Sequence, residues 1–186
     1  MTTTEASSPE LRDLLLSRIR DVQDYPKPGV VFKDITPLLA DPVAFGALVD
    51  AFAGICSRHA ATKVVGLEAR GFILAAPAAA RAHLGFVPVR KAGKLPGDTL
   101  GQSYDLEYGT ASIELQTDAF APGDRVLVID DVLATGGTAE ASLELIHRAG
   151  ATVAGVAVLL ELGFLGGRDR LTPMLSGAPL DALIAL

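Results

Sequence analysis

Four largely apolar runs constrain this chain more than any other feature in it. KVVGL at 63–67, FVPVR at 86–90, RVLVID at 125–130 and TVAGVAVLLEL at 152–162 read as strands. Helical stretches lie between them: GFILAAPAAARAHL follows the first run, and a segment from about Thr138 to Ala149, closed by Gly150, follows the third. Strands alternating with helices specify a parallel sheet covered on both faces. The expected fold class is therefore α/β, with a central, mostly parallel sheet flanked by helices.

The flanking segments depart from that rhythm. From Pro9 to about Val22, apolar residues fall at helical spacing behind Ser8, a good N-cap, and this predicts a first helix. DYPKPGVVFKDITPLLADP then reads as an ordered loop or short strand, before a second helix from Pro42 to about His59. Residues 91–116 hold a long Gly-rich loop and a hairpin around Gly109, and long loops inside compact domains are usually functional. The last stretch, SGAPLDALIAL, carries no usable motif.

A chain of 186 residues suffices for one domain with a sizeable core. Its 22 acidic against 16 basic residues, a net charge of −6, disfavour general affinity for nucleic acid or an anionic membrane, so any anionic ligand must be held locally. No apolar run is long enough to span a bilayer, and MTTTEASSPE lacks the pattern of a secretion signal, so a cytoplasmic protein is expected. The lone Cys56 excludes an internal disulfide and reads as a small core residue on a helix. His59, His83 and His147 share no spacing for a metal or a triad and are assigned no role.

The chemistry concentrates in VLVIDDVLATGGT at 126–138. In an open parallel sheet, ligands bind beyond the carboxyl ends of the strands, which is where Asp130 and Asp131 stand. Ala134-Thr135-Gly136-Gly137-Thr138 leads directly into a helix, whose free N–H groups and dipole suit an anion. The two glycines let the backbone curl around a phosphate, and the two threonines add hydroxyl donors. One end of the ligand is thus a phosphate, and the other faces two acids that suit ribose hydroxyls or a bound magnesium ion. A ribose 5-phosphate is implied.

This stretch resembles the phosphoribosyl pyrophosphate signature of the type I phosphoribosyltransferases. PGVVFKDITPLL at 28–39, EARGF at 68–72, RKAGKLPGDT at 90–99 and SYDLEYG at 103–109 are similar to the adenine-using branch of that family, in the same order. The resemblance implies a single type I phosphoribosyltransferase domain. Residues 1–50 form an N-terminal helix and a small hood with the base-binding loop, 51–165 form the phosphoribosyl pyrophosphate-binding core, and 166–186 form a C-terminal segment. It also implies the reaction, in purine salvage: adenine and phosphoribosyl pyrophosphate give AMP and pyrophosphate. One departure is Ala69, where many relatives carry serine, so only its backbone is offered there.

Roles follow from the same resemblance. Asp130 and Asp131 hold the ribose hydroxyls and stabilise positive charge developing on the sugar. Pyrophosphate is met by magnesium held mainly by the substrate, by Ala69 in a segment with a cis peptide before it, by Arg70, and by a closing loop carrying Arg90, Lys91 and Lys94. Arg90 is expected to serve the neighbouring subunit of a homodimer. Glu107 is the expected acid or base for the purine ring nitrogen, and Tyr104 helps close the site. Adenine lies against Phe32 and Val132, and the backbone of Val31 and Lys33 reads its edge. Two alternatives stay open: transfer to another purine such as xanthine, and a ligand-sensing regulator, which the chain's lack of a basic face disfavours.

Overall fold

The computed structural model describes residues 7–105 and 110–186. Helix α1 spans Pro9–Leu16, and the Ser8 hydroxyl accepts from the Leu11 N–H at 3.3 Å. The helix stops at Leu16, short of the expected Val22, because the following residues enter strand β1, Arg20–Gln23. Strand β1 pairs antiparallel with β2, Val31–Asp34, and the register sets Arg20 against Asp34 and Asp21 against Lys33. Both facing pairs are ion pairs, at 2.5 and 2.7 Å. The turn between them is held by Asp24, whose carboxylate accepts the Gly29 N–H at 2.7 Å. Cross-strand partners 12 and 14 residues downstream thus override a local helical pattern.

Helix α2, Thr36–Ala40, leads to Asp41, which caps α3, Pro42–Arg58, by accepting from the Val43 and Ala44 N–H groups. Then come β3 (Lys63–Leu67), α4 (Arg70–Arg81), β4 (Gly85–Lys91), β5 (Thr99–Asp105), β6 (Thr110–Gln116) and β7 (Arg125–Leu133). Helix α5 (Gly137–Arg148), β8 (Thr152–Glu161), α6 (Gly167–Leu171) and β9 (Leu180–Ala185) complete the chain. The seven-stranded sheet has the order β5-β6-β4-β3-β7-β8-β9. The run from β4 to β9 is parallel, while β6 pairs antiparallel with both β4 and β5. The C-terminal stretch that carried no motif forms the parallel edge strand β9.

Alternation along the strands feeds two apolar layers. Leu127 and Ile129 of β7 pack with Leu48, Phe52, Leu74 and Ala78 of α3 and α4, and Cys56 lies buried in that layer. Val126 and Val128 face the other side, with Leu143, Leu145 and Ile146 of α5. Burying such side chains contributes roughly 1.5–3 kcal/mol each and holds the central strands in register. The carboxyl ends of β3 and β7 therefore end side by side, where α4 and α5 begin.

Candidate active site

Strand β7 does not stop at Asp130. Pairing with β8 carries it on through Val132 and Leu133, so both acids are strand residues pointing to opposite sides of the pleat. Asp131 is 5% exposed. Burial raises the pKa of both carboxyl groups; at Asp130 the charge of Asp131 adds to the rise, whereas at Asp131 the Arg70 guanidinium opposes it. Helix α4 starts directly against this pair: a Cβ at Gly71 would fall 2.7 Å from Asp130 Oδ1, so only glycine permits the approach. Arg70, the first residue of α4, sets Nη2 2.7 Å from Asp131 Oδ2, out of line for a hydrogen bond, so the contact is one of charge. The same guanidinium lies 4.9 Å from the centroid of the Phe32 ring. The hood, the α4 start and the β7 acids thus meet at one cation.

Beyond Leu133 the chain forms a cup of about 100 Å³ lined by Asp130 and residues 132–139, which brings together Val132, Ala134, Thr135, Gly136, Gly137 and Thr138. Gly136 caps α5 with φ 81°, a conformation that glycine adopts without strain, and no side chain caps the helix start. The first amides of α5 are left to an anion. Tyr104 reaches the cup from β5, with its hydroxyl 3.3 Å from the Thr138 hydroxyl. The cup also has a floor that sequence reasoning missed: a Cβ at Gly167 would lie within 2.3 Å of the Ala134 carbonyl oxygen, and Arg170 of α6 pairs with Glu140 of α5. The Gly166-Gly167 pair ahead of a short helix was the available signal.

On the other side of the acids, the Glu68–Ala69 peptide is cis, in agreement with the resemblance. Glu68 accepts from the Lys91 N–H at 2.9 Å and from Arg90 Nε at 3.3 Å, and its pKa is lowered, first by the Lys91 amide. Arg90 Nη1 donates to the Lys94 carbonyl at 3.1 Å, so this guanidinium is engaged within its own chain. Lys91 and Lys94 are exposed and form no ion pair among the described residues. Glu107 lies outside the described residues, between β5 and β6.

The predicted base-binding residues divide between two faces of the hairpin. Val31 and Lys33 line a cleft of about 560 Å³ together with Leu162, Phe164 and Leu165. Phe32 points to the opposite face, 5.1 Å from Tyr25 in an edge-on contact and beneath Arg70. Leu162 and Phe164 follow β8 and carry no local signal for a ligand; only the sheet order brings them to the hood. Among the described residues no cluster of three or more His, Cys, Asp or Glu could hold a metal ion. The carboxylates of Asp130 and Asp131, hard oxygen donors with Asp131 Oδ2 lacking a hydrogen bond, fit a magnesium ion whose remaining ligands come from a substrate.

A strand-end acid pair, an anion cup at the next helix start and a facing arginine define a protein that binds a phosphorylated sugar. Residues 39–170 match the family described as phosphoribosyl transferase domain, and the chain belongs to that family. Similar proteins within it include adenine phosphoribosyltransferases. The one from Streptomyces coelicolor is 74% identical over 176 residues, which cover 95% of this chain and 97% of that protein. The crystal structure of adenine phosphoribosyltransferase from Rhodothermus marinus is 49% identical, with a TM-score of 0.88 over 96% of this chain and 100% of that one. The enzyme from Saccharomyces cerevisiae, complexed with an imino-altritol bisphosphate and adenine, is 35% identical, with a TM-score of 0.89 over 95% of this chain and 100% of that one.

Proposed function

We infer that the protein transfers the phosphoribosyl group of phosphoribosyl pyrophosphate to adenine, giving AMP and pyrophosphate in purine salvage. The observation that carries this reading is the direct succession of Asp130, Asp131 and the phosphate cup along one strand-to-helix junction. The 5-phosphate sits on the amides of residues 134–138, and the ribose hydroxyls donate to the acids. As the bond from C1′ to pyrophosphate breaks, positive charge grows on the sugar, and the buried carboxylates stabilise it. A ring nitrogen of adenine takes the place of the leaving oxygen at C1′ and gives up its proton, with Glu107 as the group that handles it. Arg70, Lys91, Lys94 and the backbone at Ala69 receive the pyrophosphate. Arg90, engaged within its own chain, holds the turn that carries Lys94.

Magnesium, bound mainly through substrate oxygens beside Asp130 and Asp131, would neutralise part of the charge on the departing pyrophosphate. Phe32 and Val132 flank the base, and the backbone of Val31 and Lys33 reads its amino group. A carbonyl acceptor favours adenine over 6-oxo purines. We place all of this in one domain of a cytoplasmic homodimer. Formation of AMP from adenine and phosphoribosyl pyrophosphate, with and without magnesium, tests the reading, with guanine, hypoxanthine and xanthine as competitors. Preference for a 6-oxo purine would reassign the substrate, and no turnover with any base would favour a ligand-sensing role.

A further inference from the structure

We propose that Glu114 of β6 is a positioning residue for pyrophosphate, whose carboxylate folds residues 92–98 into the turn that presents Lys91 and Lys94. The inference rests on the transfer reaction inferred above. Glu114 is 7% exposed, one of four buried acids among the described residues. Glu161 is paired with Arg168, Asp181 with His59, and Asp131 with Arg70. Glu114 has no cation partner among the described residues. Its Oε1 accepts the N–H groups of Lys94 and Leu95, each at 3.1 Å, and its Oε2 accepts the Thr99 hydroxyl at 3.3 Å. Burying a carboxylate is costly unless its hydrogen bonds are made, so acid and turn form together.

The opposing groups complete a clamp. Arg90 stands directly across from Glu114 in the β4–β6 register, and it holds the Lys94 carbonyl while Glu114 holds the Lys94 N–H. The Ala92 N–H donates to the Ser112 carbonyl, and the Gln116 amide donates to the Pro96 carbonyl, so the turn is stitched to β6 along its length. Within this frame the two lysine side chains stay exposed and unpaired among the described residues. A loop cation gains most from meeting a multiply charged anion when its backbone is already ordered, because less conformational freedom is then lost on binding.

The test compares Glu114→Ala with Glu114→Gln. Glutamine keeps the turn: its carbonyl oxygen accepts both amides, and its NH₂ donates to the Thr99 hydroxyl. In the alanine variant we expect the KM for phosphoribosyl pyrophosphate, and the KM for pyrophosphate in the reverse reaction, to rise about tenfold, in line with freeing a loop that was ordered before binding. The Kd for AMP, which carries no pyrophosphate, and the KM for adenine should stay within about twofold, and glutamine should restore the pyrophosphate terms. Equal losses for AMP and pyrophosphate, an unmoved pyrophosphate KM, or failure of glutamine to restore it would each overturn the proposal. Turnover by the wild type is read first, so failure of the transfer reading shows there and failure of this inference only in the variants.

Discussion

At the junction of β7 and α5, Gly136 and Gly137 are buried, β7 is paired with β3 as far as Ile129 and with β8 as far as Leu133, and Gly167 closes the floor. The β1–β2 hairpin at the other end of the site is a two-stranded sheet held by ion pairs at its surface, with Val31 41% and Phe164 78% exposed across the cleft between them. The phosphate end is thus shaped by backbone inside the core, where any added atom meets a neighbour. The base end is shaped by side chains on a peripheral ribbon, where exposed ion pairs contribute only about 0.2–1 kcal/mol each. A rigid cup suits an invariant phosphate. A lightly held hood can adjust around a base.

Substitutions at the two ends should therefore differ in size. The largest effect is expected from Gly136→Val, which places a β-branched residue at φ 81° with its Cβ 3.1 Å from the Gly167 carbonyl. Strain of that kind costs about 1–3 kcal/mol and should lower the Tm by several degrees, and a cup displaced by the same energy should bind AMP about 5- to 150-fold more weakly by calorimetry. Gly137→Ala is the companion: its Cβ meets the end of Arg170 at 3.5 Å and the Tyr104 ring at 3.7 Å, both ordinary contacts, so loss of AMP binding with an unchanged melt would assign the effect to the cup alone. Normal AMP affinity in both variants would remove the phosphate from this loop.

Asp130→Asn should weaken phosphoribosyl pyrophosphate by the roughly 1.5–3 kcal/mol of a charge-assisted hydrogen bond, while stabilising the ligand-free protein. The sign follows from burial, which holds the folded carboxyl's pKa above the unfolded value of 3.8. The folded state then keeps its proton longer than the unfolded chain. Stability consequently declines as pH rises from the unfolded value to the raised folded one, and the full cost persists above it. The variant's Tm should exceed that of the wild type by roughly 2–4 °C at neutral pH, and the gap should close in acid. A variant that is less stable at neutral pH would contradict a strained acid pair.

Smaller effects belong to the hood. Phe32→Ala removes the ring that lies under Arg70, and the adenine KM should rise about two- to tenfold with the phosphoribosyl pyrophosphate KM nearly constant, reflecting the roughly 0.5–1.5 kcal/mol of an aromatic stacking contact. Equal changes in both constants would mean that the ring acts only through Arg70. Asp21→Asn, which breaks the pair with Lys33, should change the adenine KM less than about twofold, the size expected of an exposed pair. A larger shift would show that the hood is held more tightly than its surface bonds imply.

The sequence by itself determined what depends on neighbours along the chain. Strand β3 spans the residues its apolar run predicts, the α3 cap is Asp41 immediately before its proline, and the acid pair, glycine turn and helix start are contiguous. Their geometry follows from short-range sterics and backbone hydrogen bonding. Only the tertiary structure decided what depends on residues far apart. It ended α1 at Leu16 in favour of a hairpin, turned Phe32 away from Val31 and Lys33, tied Arg90 to Glu68 22 positions earlier, and brought Leu162 and Gly167 to the site from beyond β8. The deciding terms are strand pairing between distant segments, which makes 31–34 a strand at all, a carboxylate's need for partners, and close backbone approach, and none of these is set by neighbours along the chain.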